Sequence, residues 1–163
     1  MSKNQQLDFD TITFHWSAGR WNQIFFAYHY NIVYDPTTDI AKVIKTCASD
    51  KDIKSHTWRR NTRNLGIVLC CALDATPGNL GKYPPTAKQI EVACAFAGKK
   101  AFEANVPADR IKTHAEWAAI DGYGFGSGDP ETRWDLWVPR WNAGKKNLSE
   151  LMRDKTLWYK SRY

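Results

Sequence analysis

An almost continuous apolar run from Leu65 to Leu73 constrains the fold of this chain more than any other stretch of its sequence. A strand with one solvated face alternates apolar and polar residues, whereas an unbroken apolar run predicts a strand buried on both faces. Residues 74–85, which include three prolines and two glycines, follow the run and predict a long connection. We therefore expect a central strand with other elements packed on both sides of it.

Several other segments have the composition of strands. In residues 11–16, apolar side chains alternate with Thr13 and His15, which predicts a half-buried strand with His15 turned away from the main apolar face. Residues 48–64 are polar and basic without a period, which indicates a surface loop. Further strands are predicted at residues 28–34, 40–47 and 111–114.

One helix is clearly indicated. Thr86 and Gln89 have the spacing of a capping box and follow two prolines. Small and apolar residues then recur on a single stripe, at Ile90, Ala93, Cys94, Ala97 and Ala101. A shorter helix is predicted at residues 148–152. Strands mixed with one or two substantial helices predict an α/β domain with a central mixed β-sheet flanked by helices. It would span residues 1–163, with a loose arm at 1–8 and a C-terminal helix and tail at 142–163.

Composition excludes several classes of protein. The chain has 163 residues, 43% of them hydrophobic and eight of them Trp, which indicates one folded domain rather than a disordered chain. No apolar run has the length of a membrane span, and the polar N-terminus lacks a signal peptide, so we expect synthesis in the cytoplasm without stable membrane insertion. Cys70 and Cys71 lie in the apolar run, which favours reduced core thiols. A net charge of +6 favours an anionic polymer as partner, either nucleic acid or an acidic cell-wall glycopeptide.

Two histidines and a carboxylate form a candidate metal site. His15 lies in the first strand, His114 follows a short apolar segment, and Asp129 lies beyond a run of glycines. Two imidazoles and one carboxylate can form the three-ligand shell of a catalytic zinc, with water in the fourth position. A turn residue before Pro130 is the alternative interpretation of Asp129. Asp135 is a competing ligand, but its segment is expected to pack between Trp134 and Trp137.

Other polar residues have possible roles around such a site. Glu116 lies two residues after His114, so in an extended strand both would face the same side. Glu116 would then move protons or orient a ligand. His56 would line the groove or would be a plain surface histidine. Arg59 and Arg63 would pair with carboxylates of a substrate, unless they belong to a solvated basic loop.

The order of short motifs resembles a known family. The segments are Thr13-Phe14-His15-Trp16-Ser17-Ala18, Tyr28-His29-Tyr30-Asn31-Ile32, Ser55-His56-Thr57-Trp58, Asn64-Leu65-Gly66-Ile67-Val68-Leu69, His114-Ala115-Glu116, Asp129-Pro130 and Trp134-Asp135-Leu136. Together they resemble the zinc-dependent N-acetylmuramoyl-L-alanine amidases of the type-2 amidase family, which includes peptidoglycan recognition proteins. The residues of these segments are most similar to those of phage endolysins.

The resemblance implies a mixed sheet with one zinc ion in a groove, held by His15, His114 and Asp129. It implies hydrolysis of the amide between N-acetylmuramic acid and L-alanine, with Tyr28 bonding the reacting water or the tetrahedral intermediate. Two functional residues of some members are replaced here. Ser127 stands where those members have a Lys that stabilises the oxyanion, and Val68 stands where others have a Glu.

The sequence therefore predicts a monomeric, endolysin-like zinc amidase that acts on peptidoglycan. It would reach the cell wall through a membrane lesion made by a holin-type partner, or by injection. A module of the same fold that binds muropeptide without cutting it is the first alternative. A nucleic-acid binder is the second, but it would need aromatic and basic residues interleaved on an exposed sheet, whereas these strands have the pattern of a core.

Overall fold

A five-stranded mixed sheet forms the centre of the protein, in a computed structural model that describes residues 8–76, 78–123, 135–136, 138–141 and 144–163. Its strands are β1 (Thr11–Trp16), β2 (Tyr30–Asp35), β3 (Ile40–Lys45), β4 (Asn64–Leu69) and β5 (Ile111–Thr113). Their order across the sheet is β3-β2-β4-β1-β5. β2 and β3 are antiparallel, and the other neighbouring strands are parallel.

The strand predicted from the apolar run is the middle strand of the sheet. All six residues of β4 are buried, and the strand lies between β2 and β1. The prediction of a central strand buried on both faces is therefore confirmed.

The prediction that β1 is only half-buried is wrong. All six of its residues are buried, including Thr13 and His15 on the face that the sequence assigned to solvent. The side chain of Trp117 donates a hydrogen bond to the hydroxyl of Thr13, and His56 contacts His15. Residues distant in sequence therefore cover the second face of β1. The alternation of apolar and polar residues within the strand does not indicate such contacts.

Three α-helices accompany the sheet: α1 (Ala87–Glu103), α2 (His114–Asp121) and α3 (Leu148–Lys160). The predicted capping box is confirmed, because the Thr86 hydroxyl accepts from the backbone of Gln89 and the Gln89 side chain accepts from the backbone of Thr86. Every residue of the predicted apolar stripe of α1 is buried. α3 is longer than predicted, and α2 was not predicted at all.

The helices lie on both sides of the sheet. α1 packs on β2, β3 and β4, and α3 packs on α1. α2 contacts β5 and β1, and its Trp117 donates a hydrogen bond to Thr13. The predicted class, a single α/β domain with a mixed sheet flanked by helices, is confirmed.

A glycine allows α1 and α3 to approach closely. A Cβ atom on Gly98 would lie 2.5 Å from the Cβ of Tyr159 and 2.9 Å from the backbone oxygen of Thr156. We expect Gly98→Ala to lower the free energy of unfolding by about 1–3 kcal/mol, because the added methyl group forces the helices apart. Urea denaturation measures the change. The matched control is Lys99→Ala at the exposed neighbouring position, and an equal loss in both variants would contradict this packing role.

The cysteines are thiols in the core. Cys70 and Cys71 are fully buried and free, as predicted, and Cys47 and Cys94 are free as well. Burial raises the pKa of the Cys70 thiol to about 12, so it stays protonated at neutral pH. None of the described helices is long and apolar enough to cross a lipid bilayer.

Candidate metal centre

His15 places an imidazole at the heart of the site. It lies near the carboxyl end of β1, opposite Val68 of β4 in parallel register, and its side chain is fully buried. Burial lowers its pKa, and the neighbouring Asp135 opposes that shift only in part. The ring is therefore neutral at pH 7, the form in which a histidine can bind a metal.

The second imidazole reaches His15 because β5 pairs with β1. Thr113, the last residue of β5, is opposite Phe14, so the next residue along each strand brings His114 beside His15. Their ring centroids are 4.9 Å apart. His114 is also the first residue of α2, whose N-cap Thr113 fixes the direction in which the chain leaves the strand. The structure thus brings together the two histidines that the sequence singled out.

Asp135 supplies the carboxylate beside the two rings. Its Oδ1 lies 3.0 Å from Nδ1 of His15, and its carboxylate lies 3.3 Å from Nδ1 of His114. The backbone N–H of Ala115 donates to the backbone oxygen of Asp135 over 2.6 Å and ties this residue to the start of α2. Burial opposes ionisation of the carboxyl, but the two adjacent imidazoles outweigh it and hold the pKa of Asp135 well below its usual range.

These three side chains could hold a metal ion. Each offers one ligand atom, and the three atoms lie within 4.8 Å of one another. Two imidazoles and a carboxylate are a donor set that suits zinc. Nε2 of His114 is buried and has no hydrogen-bond partner among the described residues, so this ring is not fully satisfied by the protein alone. The donor set and this unsatisfied nitrogen both fit a metal centre.

The three side chains of the cluster differ in exposure. His15 is completely buried, whereas the side chains of His114 and Asp135 are 9% and 20% exposed. Of the three residues, His114 and Asp135 are therefore the ones that solvent reaches.

Tyr28 lies next to this group, just before β2. Its ring centroid is 5.0 Å from that of His15. Burial, followed by the negative charge of Asp135, raises the pKa of the Tyr28 hydroxyl above its ordinary value. The hydroxyl therefore keeps its proton at neutral pH and can act as a hydrogen-bond donor. No described residue bonds to it.

The interpretation of Glu116 as a residue on an extended strand is wrong. Glu116 is the third residue of α2, and its carboxylate accepts from the backbone N–H of Thr113 and pairs with Arg153 at 2.8 Å. The geometry that was to place it beside His114 does not exist, and its carboxylate caps the helix that carries this histidine. Thr113 and Glu116 have the spacing of a capping box, which is the sequence signal that could have located α2.

His56 is neither exposed nor a plain surface histidine. It is buried in the loop between β3 and β4, where its Nδ1 lies 3.0 Å from Nε2 of His15 and its Nε2 lies 2.8 Å from the backbone oxygen of Asn64. Both of its nitrogens are thus used within the protein.

Neither of the two arginines that were assigned to the substrate is described in contact with the cluster. The guanidinium of Arg59 lies 4.2 Å from the ring centroid of Trp58, and Arg63 pairs with Asp10 where β1 and β4 begin. His15 lies near the opposite end of these parallel strands. Ser127 and Asp129 lie outside the described residues, so the roles assigned to them stay predictions.

Asp135 is the site residue to which sequence reasoning gave too little weight. It was set aside because large apolar residues flank it, and its neighbour Leu136 is indeed fully buried. The same flanks were a usable signal, because an acidic residue drawn into a core needs a charged or hydrogen-bonding partner there. The two histidines are such partners.

Comparison with known proteins shows a likeness of fold. No protein-family model and no curated protein matches the chain. Among solved structures, the chain is similar to the N-acetylmuramyl-L-alanine amidase AmiD from E. coli, determined in complex with the substrate anhydro-N-acetylmuramic acid-L-Ala-D-gamma-Glu-L-Lys. The TM-score is 0.53 at 12% identity, over 71% of this chain and 51% of AmiD, so this chain spans about half the length of that structure. A likeness at this identity supports an amidase-type fold.

Proposed function

We propose that the protein is a zinc-dependent N-acetylmuramoyl-L-alanine amidase that hydrolyses the amide between N-acetylmuramic acid and the first L-alanine of the stem peptide. The observation that carries the proposal is the convergence of His15, His114 and Asp135 within a fold similar to that of AmiD. The order of the sequence motifs supports the same reaction independently of the fold.

His15, His114 and Asp135 would hold one zinc ion. When bound, zinc lowers the pKa of a coordinated water and polarises a carbonyl oxygen, the two things that hydrolysis of an amide needs first. The substrate would approach on the side of His114 and Asp135, which are the partly exposed members of the cluster. In this proposal Asp135 is the carboxylate ligand, whereas the resemblance implies Asp129.

Tyr28 would supply a hydrogen bond to the reacting centre. Its protonated hydroxyl lies on a ring adjacent to His15, and it can donate to the oxygen on which negative charge develops. Val68 lies opposite His15 at the position where some members of the family have a glutamate. Since a valine cannot transfer a proton, the Tyr28 hydroxyl would contribute more to stabilising the reacting centre here than in those members.

We further propose an endolysin-like role on the bacterial cell wall. The net charge of +6 suits an enzyme that works on an anionic wall polymer. The resemblance of its motifs to those of phage endolysins supports a lytic role. The protein would reach the wall through a membrane lesion or by injection.

Digestion of purified sacculi tests the reaction. The protein with one equivalent of zinc should release stem peptides with a new L-alanine amino group and leave the glycan strands intact. Labelling of free amino ends and a reducing-sugar assay measure the two products. The control is His114→Ala, which lacks one proposed ligand.

The same digestion separates the rival functions. New reducing ends without new amino ends would identify a glycosidase. Cosedimentation with sacculi without any release of peptide would favour the non-catalytic muropeptide-binding module.

A further inference from the structure

His56 lies behind the candidate metal centre, on the side of His15 that faces away from Asp135. Its ring rests on Gly66 of β4, where a Cβ atom would lie 2.8 Å from Cδ2 and 2.9 Å from Cγ of the imidazole. Only a residue without a side chain leaves room for the ring at this point. The position of His56 therefore depends on a glycine in the central strand of the sheet.

The hydrogen bonds of His56 have a fixed direction. Nε2 lies 2.8 Å from the backbone oxygen of Asn64, and a carbonyl oxygen can only accept, so Nε2 carries a proton. In a neutral imidazole one ring nitrogen donates and the other accepts. Nδ1 of His56 is then an acceptor, and Nε2 of His15 lies 3.0 Å from it.

This direction determines the tautomer of His15. If Nε2 of His15 donates to His56, its Nδ1 carries no proton and presents its lone pair to Asp135, 3.0 Å away. A lone pair that faces a carboxylate is repulsive unless a cation lies between them, so in the zinc-free protein the hydrogen bond from His15 to His56 has to outweigh this repulsion. In the other tautomer, Nδ1–H would donate to Asp135 and would occupy the direction that a metal ion needs.

We propose that His56 is a positioning residue for the metal centre: it accepts the Nε2–H of His15 and keeps the Nδ1 lone pair of His15 free for the metal ion. The proposal rests on the zinc site of the proposed function. It assigns to His56 a role inside the protein in place of the substrate contact that the sequence suggested. Groups that orient metal ligands in this way commonly set the metal affinity.

Two substitutions separate the two nitrogens of His56. In His56→Asn, the amide oxygen can occupy the position of Nδ1 and accept from His15. In His56→Gln, the amide nitrogen can occupy the position of Nε2 and donate to Asn64, but nothing remains to accept from His15. We expect the Gln variant to raise the Kd for zinc by about 10- to 100-fold and the Asn variant by less than about tenfold. Competition with a chromophoric chelator measures both.

Thr57 provides the control. Its hydroxyl lies 2.9 Å from Nδ1 of His56 and 3.4 Å from Nε2 of His15, so it could bond either ring. Thr57→Val removes this hydroxyl and leaves both imidazoles in place, and we expect a change in Kd smaller than that of His56→Gln. Equal losses in the Thr57 and Gln variants would overturn the proposal and make the hydroxyl the partner of His15.

A second readout does not depend on zinc. Two-bond proton–nitrogen correlation spectra of the zinc-free protein at pH 8 report which nitrogen of each histidine carries a proton. We expect a bare Nδ1 on His15 in the unmodified protein and a protonated Nδ1 in His56→Gln. A protonated Nδ1 in the unmodified protein would overturn the proposal. The expected tautomers together with failure to bind zinc would instead overturn the proposed function, while the hydrogen bond from His15 to His56 would still be supported.

Discussion

Asp135→Asn is expected to abolish tight zinc binding and to reduce muropeptide hydrolysis to background. Among the described residues, Asp135 places its carboxylate within hydrogen-bonding distance of both histidines, and the adjacent imidazoles hold its pKa well below its usual range, so it is ionised at neutral pH. The amide has the same shape but no charge, so the metal would lose its one anionic ligand. The loss should exceed the roughly 10- to 100-fold decrease in affinity that follows removal of an outer-shell partner.

The matched control is Asp129→Asn, because Asp129 is the ligand that the family resemblance implies. We expect this variant to retain one zinc per chain and its activity. Inductively coupled plasma mass spectrometry of the purified variants measures the metal, and release of L-alanine amino ends measures the activity. Loss of zinc in the Asp129 variant, with retention in the Asp135 variant, would restore the first assignment and leave Asp135 as a partner of the histidines.

The sheet and the first helix could be predicted because their signals are local. The apolar run of β4 and the capping box of α1 are both contained in short stretches of sequence. Two-sided burial of β1 could not be predicted, because Trp117 and His56 reach its polar face from distant segments. α2 lay between these cases: its capping box was visible, but a short apolar strand directly before it suggested that the strand continued.

In the site too, features with a local sequence signal could be predicted, and features that depend on distant contacts could not. His15 and His114 could be proposed from their residue type and from the order of the motifs. The approach of Asp135 to His15 could not be predicted from spacing, because Asp129 and Asp135 both lie beyond the glycine-rich segment and this contact joins residues that are far apart in the sequence. His56 shows the same limit, since a basic loop predicts exposure and the space that admits its ring is created by Gly66 on another segment.

Tyr28→Phe is expected to lower turnover by about a hundred- to thousandfold, the usual cost of one lost donor to a developing oxyanion, while zinc stays bound. The raised pKa of the Tyr28 hydroxyl keeps it protonated through the neutral range, so it acts as a donor and not as a ligand. Steady-state hydrolysis of a soluble muropeptide measures turnover, with metal content determined on the same samples. Tyr34→Phe is the control, because that hydroxyl bonds to Asp39 on the β2–β3 turn.

The size of the Tyr28 effect depends on what else surrounds the reacting atoms. Val68 offers no proton, and the carboxylate of Glu116 is already paired with Arg153, so neither can compensate for the lost hydroxyl. A member of the family with a lysine at the position of Ser127 would retain a second positive group, and the same change should cost it less. If the loop places the new ammonium near the metal, Ser127→Lys in the Tyr28→Phe background should therefore recover part of the lost turnover. If Tyr28→Phe alone keeps nearly full turnover, Tyr28 is a packing residue against His15, and a group outside the described residues donates to the oxyanion.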